Sequence, residues 1–313
     1  MSTMLLFVTI VATVCFSGCT ADRQPEVGTS EPAGESPAPF MNSPVVEDGA
    51  VVEQVSTGHG FTEGPVVDAA GNLYFADIPQ SVITRIAPDG TRTAFVRRAA
   101  SPNGLAIDKN GVLIAALAGD RCVVEIDSLG NYTVLADRYE GKRFNNPNDL
   151  WVDANNGIYF TDPSYHIRLT VEQDGEQVYY ISPDRKTVTR MTDDLSQPNG
   201  IVGTPDNRYL YVADSGHRRI CRFAINPDAS LTDKITFVER GSDSMTLDGE
   251  GNLYITSGGV QVYNSRGMLI ETIRVPESPA NVCFGGPDRR TLYITARTSV
   301  YSLRMKVRGI DGL

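Results

Sequence analysis

One phrase recurs six times along this chain, and it restricts the fold more than any other feature. It is a turn followed by an apolar pair. It reads Gly71-Asn72-Leu73-Tyr74, Gly111-Val112-Leu113-Ile114, Gly157-Ile158-Tyr159-Phe160, Arg208-Tyr209-Leu210-Tyr211, Gly251-Asn252-Leu253-Tyr254 and Arg290-Thr291-Leu292-Tyr293. Anchored at residues 73, 113, 159, 210, 253 and 292, the copies are spaced by 40, 46, 51, 43 and 39 residues. A period of about 40–50 residues is that of a four-stranded propeller blade. After each anchor comes another strand pair, as in Val82-Ile83-Thr84-Arg85-Ile86 with Pro88-Asp89-Gly90. Apolar and polar residues alternate around turn signals, which is the hairpin pattern. No long segment has helical periodicity. The expectation is an all-β chain, a six-bladed β-propeller over residues 51–308. Val300-Tyr301-Ser302-Leu303 is expected to close the ring by pairing near Val51-Val52-Glu53.

Ten or eleven residues before each anchor stands Glu63, Asn103, Asn148, Asn199, Asp243 or Asn281. All six are Glu, Asp or Asn. Equivalent positions in a propeller are related by its pseudo-symmetry axis, so these side chains are expected to face one axial point. Hard oxygen donors without His or Cys suit Ca²⁺, Mg²⁺ or Mn²⁺ better than zinc. Glu63 and Asp243 can neutralise a divalent ion, and Asn carbonyl oxygens add donors without charge. Pro-Asn-Gly at 102–104 and 198–200 is also ordinary turn chemistry. Glu63 is not a favoured turn residue, and six registered copies point to a site.

Composition narrows the partners. Lys and Arg total 28 against 38 Asp and Glu, a net charge of −10. That balance opposes nucleic acid, whose phosphates need a basic surface, and electrostatic docking on anionic lipid. Met4 to Phe16 is apolar, too short for a membrane span and suited to a secretory segment. Phe16-Ser17-Gly18-Cys19 resembles a bacterial lipobox, in which Cys19 becomes an acylated N-terminus. Residues 1–19 therefore read as a lipoprotein-type signal peptide and 20–50 as a Pro-rich tether. An exported bacterial lipoprotein, periplasmic or at the cell surface, is expected to touch the membrane only through that anchor. Cys122, Cys221 and Cys283 remain, an odd number expected as buried free thiols.

Several motifs together resemble the gluconolactonase/regucalcin (senescence marker protein) family. They are Thr62-Glu63-Gly64-Pro65, then Phe144-Asn145-Asn146-Pro147-Asn148-Asp149-Leu150 with Tyr159-Phe160-Thr161-Asp162-Pro163. Next come Pro198-Asn199-Gly200-Ile201 with Leu210-Tyr211-Val212-Ala213-Asp214, and Asp243-Ser244-Met245 with Asp248-Gly249-Glu250-Gly251-Asn252-Leu253-Tyr254. The likeness spans about residues 58–303. It implies a propeller with a central divalent-metal site, and the family's ligands fall on Glu63, Asn148, Asn199 and Asp243. Calcium is the foremost candidate, with magnesium, manganese or zinc as alternatives. The family's acid/base position falls on Asp243, where its usual Asp-Gly-Met reads Asp243-Ser244-Met245. His166 stands where the family usually has Gly.

The implied reaction is hydrolysis of a lactone, a cyclic ester, by a gluconolactonase-like sugar lactonase. Asp243 is expected to work as general base and then proton donor. Asn148 and Asn103 are expected to bind substrate hydroxyls, with Asp149 orienting Asn148. Arg143 is a candidate for an acidic sugar carboxylate, while His59 and His166 are expected to be structural or exposed. No Gly-x-Ser-x-Gly elbow occurs. The alternatives are an organophosphate or aryl-ester hydrolase on the same scaffold, and a non-catalytic binding propeller; fold alone does not separate them.

Overall fold

The recurring turn is a single backbone solution used six times. The computed structural model describes residues 38–165 and 170–310. At the third turn position of each copy stands a residue with φ between 54° and 84°: Gly71, Gly111, Asn156, Asn207, Gly251 and Arg289. Gly and Asn tolerate this left-handed region best. The turn is locked by the residue that opens it. Asp68, Asp108, Asp153 and Asp248 each accept the backbone N–H four residues on, at 2.8–2.9 Å. Thr204 does the same through its hydroxyl at 3.2 Å.

These turns join the first two strands of six four-stranded antiparallel sheets. The innermost strands are Thr62–Val67, Pro102–Ile107, Leu150–Val152, Pro198–Gly203, Met245–Leu247 and Pro279–Gly285. Each touches the innermost strand on either side, and the sixth returns to the first, so the ring is closed. Blade 6 takes its outermost strand, Glu53–Thr57, from the start of the domain, with Glu53 opposite Ser302 and Gln54 opposite Tyr301. The expected all-β, six-bladed propeller and its closure are therefore both present.

Apolar side chains fill the wedges between blades. Tyr159 is fully buried, stacks on Trp151 at 5.9 Å and donates its hydroxyl to Ala229 O at 2.6 Å. Phe144, Phe160 and Tyr179 pack together between blades 2 and 3. His59 is one of the clamps. Its ring meets Phe75 edge-on at 4.9 Å, with Nε2 2.8 Å from Ser56 Oγ and Nδ1 3.5 Å from Asp77 Oδ2. Burial lowers its pKa.

The sequence reading of the tether needs correction at its end. Val45 and Val46 are buried with Val52 against blade 6, and Val46 bridges to Met305. The Pro-rich composition hid one apolar pair that the last blade covers. The expected signal peptide with Cys19, the expected tether up to residue 37, and His166 lie outside the described residues. Cys122 and Cys221 are buried free thiols, whereas Cys283 is only partly buried.

Candidate active site

The six registered residues all stand where the innermost strands begin, and several of those strands start irregularly. Pairing to the second strand slips between Glu63 and Val66, Pro102 and Leu105, Pro198 and Ile201, and Pro279 and Asn281. Such bulges re-aim the side chains they carry. In blades 3 and 5 the regular strand begins only at Leu150 and Met245, and Asn148 and Asp243 lie just upstream.

Asn103-Gly104 and Asn199-Gly200 are not turns. Both pairs lie within strands, and neither glycine has positive φ. The glycines are needed because neighbouring blades converge on the axis. A Cβ on Gly104 would lie 2.4 Å from Asp149 Oδ1, and one on Gly200 2.5 Å from Ser244 Cα. Their N–H groups use that closeness. Gly104 N donates to Asn148 O and Gly200 N to Asp243 O, each at 2.7 Å. Blades 2 and 3, and blades 4 and 5, are thus tied together at the registered positions themselves. Gly200→Ala should overpack this joint by about 1–3 kcal/mol. We expect a fall of roughly 3–10 °C in thermal midpoint, read by calorimetry; an unchanged midpoint would show that the joint is not tight.

Side chains complete the layer. Asn281 Nδ2 donates to Glu63 Oε2 at 2.9 Å, and Gly64 N to the same oxygen at 2.9 Å. Asn199 Nδ2 donates to Asp243 Oδ1 at 2.7 Å. Burial and the nearby Asp243 carboxylate push Glu63 well above the usual range, against the pull of Asn281. Burial lifts Asp243 to about 6 despite its bond from Asn199.

Asp149 lies one step deeper. Burial raises it to about 6, and its carboxylate accepts Ser244 Oγ at 2.7 Å and Leu150 N at 2.9 Å. The Ser244 bond joins blade 5 to blade 3. Below this level a cavity of about 190 Å³ is lined by the later parts of the innermost strands, including Leu105, Trp151, Ile201, Met245 and Val282, with Ile310 beside them. Of the six oxygen-bearing side chains only Asn281 lines it, and Asp149 and Ser244 give it a polar side.

The sequence matches the model of the SMP-30/gluconolactonase/LRE-like region over residues 61–298. The chain belongs to that family. Among its relatives is a gluconolactonase of Zymomonas mobilis, 28% identical over 293 residues that make up 82% of each chain. Another is the lactonase drp35 of Staphylococcus aureus, 30% identical over 237 residues, 68% of this chain and 69% of that one. A solved gluconolactonase from Xanthomonas campestris superposes with a TM-score of 0.79 at 29% identity, covering 88% of this chain and 99% of that one. The protein is accordingly a hydrolase of the lactonase type.

Within this family member the sequence-derived residues divide into levels. Glu63, Asn199, Asp243 and Asn281 are joined in two acid–amide pairs. Asn148 is buried beside them, and its backbone oxygen meets Gly104. Asn103 occupies the same place in blade 2, with its carbonyl oxygen against Gly64. Asp149 was expected to orient Asn148, but its carboxylate is engaged by Ser244 and Leu150 instead. Arg143 is tied by its side chain to Asp120 O and by its backbone to Glu172. The sequence reading missed Tyr165 as a site residue. Burial pushes its phenol up, and Asp243, Asn199 and Glu63 are among the groups that act on it. It has no counterpart in the sixfold register, so the repeat could not reveal it.

Proposed function

We propose that this protein opens sugar-type lactones, aldonolactones foremost, with a divalent cation held by Glu63, Asn148, Asn199 and Asp243. The observation that carries this reading is the pair of buried acids, Glu63 and Asp243. Burial raises both, the Asp243 carboxylate adds to the cost of ionising Glu63, and each is paired with an amide. No Lys or Arg is among the principal groups acting on Glu63, Asp149 or Asp243. A cation would reverse the local penalty on both acids. The donor set fits a hard ion such as calcium. Among the described residues no three His, Cys, Asp or Glu side chains form a metal-binding cluster. The amides would therefore supply half of the proposed protein ligands.

Bound there, a cation supplies charge stabilisation for the lactone carbonyl as its oxygen becomes anionic. The remaining work falls to the chain. Asp243 takes a proton from the attacking water as the new C–O bond forms. It returns that proton to the ring oxygen as the ester C–O bond breaks, leaving a hydroxy acid. Asn199 holds Asp243 Oδ1 and so fixes the carboxylate plane. Asn103 and Asn148 offer amide groups to substrate hydroxyls. Asp149 and Ser244 brace blades 3 and 5 beneath them. A pH-stat assay of gluconolactone opening, with and without a chelator, tests this reading. Chelator-sensitive turnover above the spontaneous rate supports it, and none would refute it.

The same proposal includes location. Cys19 as an acylated N-terminus predicts that Cys19→Ser moves the protein from the membrane fraction to the soluble one. Retention in the membrane fraction would refute the anchor.

A further inference from the structure

One more position recurs in every blade at a fixed distance from the registered residue. Fourteen or fifteen residues after Glu63, Asn103, Asn148, Asn199, Asp243 and Asn281 stand Asp77, Leu117, Asp162, Asp214, Ser257 and Ala296. Five of them end the second strand of their blade, and Ser257 follows directly on it. The three aspartates are buried, Asp162 and Asp214 completely.

Each aspartate turns its carboxylate on the backbone that leads into its own innermost strand. Asp77 accepts Gly60 N at 3.1 Å and Phe61 N at 3.3 Å. Asp162 accepts Asn145 N and Asn146 N, one on each oxygen, both at 2.8 Å. Asp214 accepts Ser196 N at 2.8 Å, and the same carboxylate also takes His217 and Arg219. Gly60, Asn145 and Ser196 stand three residues before Glu63, Asn148 and Asn199 respectively. The same bond is thus made at the same offset from three of the four proposed cation ligands.

The fold itself does not ask for an acid at this position. Blades 2 and 6 fill it with Leu117 and Ala296, and their registered residues, Asn103 and Asn281, are the two outside the proposed ligand set. A buried carboxylate is unfavourable unless its oxygens are hydrogen-bonded, so an apolar residue is the less demanding filling. Blade 5, which carries Asp243, uses hydroxyls instead. Thr256 Oγ1 accepts Ser244 N at 2.9 Å, and Ser242 Oγ accepts Thr256 N at 3.0 Å.

We infer that Asp77, Asp162 and Asp214 are positioning residues, which fix the chain that presents Glu63, Asn148 and Asn199 to the cation. This inference rests on the cation site of the lactonase reading.

The test is calorimetric calcium binding to the full-length protein, well below its thermal midpoint, for the wild type, Asp162→Asn and Asp153→Asn. Asparagine keeps the shape of the side chain and one accepting oxygen, so one of the bonds from Asn145 and Asn146 is lost. Asp153 is the control. It is buried and accepts Asn155 N at 2.7 Å and Gly157 N at 2.8 Å, but at the opposite end of the innermost strand of blade 3. Both substitutions should lower the midpoint. Only Asp162→Asn should raise the calcium dissociation constant, roughly 10- to 100-fold, as is usual when a group that orients a metal ligand is removed. Gluconolactone opening should fall with it at limiting calcium and recover as calcium is raised. Asp214→Asn and Asp77→Asn should shift the constant in the same direction, and they carry the comparison if Asp162→Asn does not fold. An unchanged constant in these variants, or an equal rise in Asp153→Asn, would overturn the positioning role and leave the lactonase reading intact. A wild-type protein that binds calcium but opens no lactone, with the constant raised by Asp162→Asn and not by Asp153→Asn, would refute the lactonase reading and uphold the positioning role. A wild-type protein that binds no divalent cation would overturn both.

Discussion

Asp243→Asn should lower kcat for lactone opening by roughly 10²–10⁴-fold, the usual cost of losing a general base. The fold and the cation should largely survive. The substitution keeps the size of the side chain and one oxygen. To keep accepting the bond from Asn199 Nδ2, now 2.7 Å from Asp243 Oδ1, the new amide must turn its oxygen toward Asn199. Its NH₂ then occupies the place of the second carboxylate oxygen, where it cannot take a proton from water. Burial lifts Asp243 to about 6 before any cation is counted, and a bound cation would draw it down again. The measurement is kcat at saturating cation, with spontaneous hydrolysis subtracted and bound metal determined on the same sample. Near-normal turnover in a metal-loaded variant would remove Asp243 from the role of base.

The parts of this molecule that were legible in its sequence are those repeated six times. The left-handed turn position is written as Gly71, Gly111 and Gly251 because glycine is the least strained choice there, and the capping Asp five residues before the strand is visible too. The same position filled by Arg289 carries no such signal. The register of Glu63, Asn103, Asn148, Asn199, Asp243 and Asn281 was readable because the pseudo-symmetry repeats their position in every blade. Its local chemistry was not: Asn103-Gly104 and Asn199-Gly200 look like turns, yet their glycines answer to the neighbouring blade. Contacts that break the sixfold pattern were silent. The Ser244–Asp149 bond joins residues 95 apart across two blades, and Tyr165 occurs in one blade only. The burial of Val45 and Val46 depends on Met305, at the far end of the domain.

Glu63→Gln should separate the two contributions of a buried acid. In the cation-free protein Glu63 is surrounded, and its pKa is raised by burial and by the carboxylates of Asp243 and Asp149. Glutamine has the same shape and can still accept from Asn281 Nδ2 and Gly64 N through its carbonyl oxygen, but it carries no charge to repel. In the presence of a chelator the variant should therefore melt at the same temperature as the wild type, or higher. The cation reverses the order. A ligand present at 100 times its dissociation constant stabilises the folded state by about 2.7 kcal/mol. Added calcium should thus raise the wild-type midpoint by several °C, on the order of 5–10. The variant, lacking one of two charged ligands, should respond only at calcium concentrations roughly 100-fold higher or more, a cost of about 2.7 kcal/mol that falls within the range for losing a charge-assisted contact. Lactone opening should fall with it and recover partially as calcium is raised. Thermal scans across a calcium titration, paired with metal analysis after dialysis, give all three readouts. Equal calcium sensitivity in the two proteins would place the cation elsewhere, and a lower midpoint for the variant in chelator would mean that Glu63 serves the fold as well as the ion.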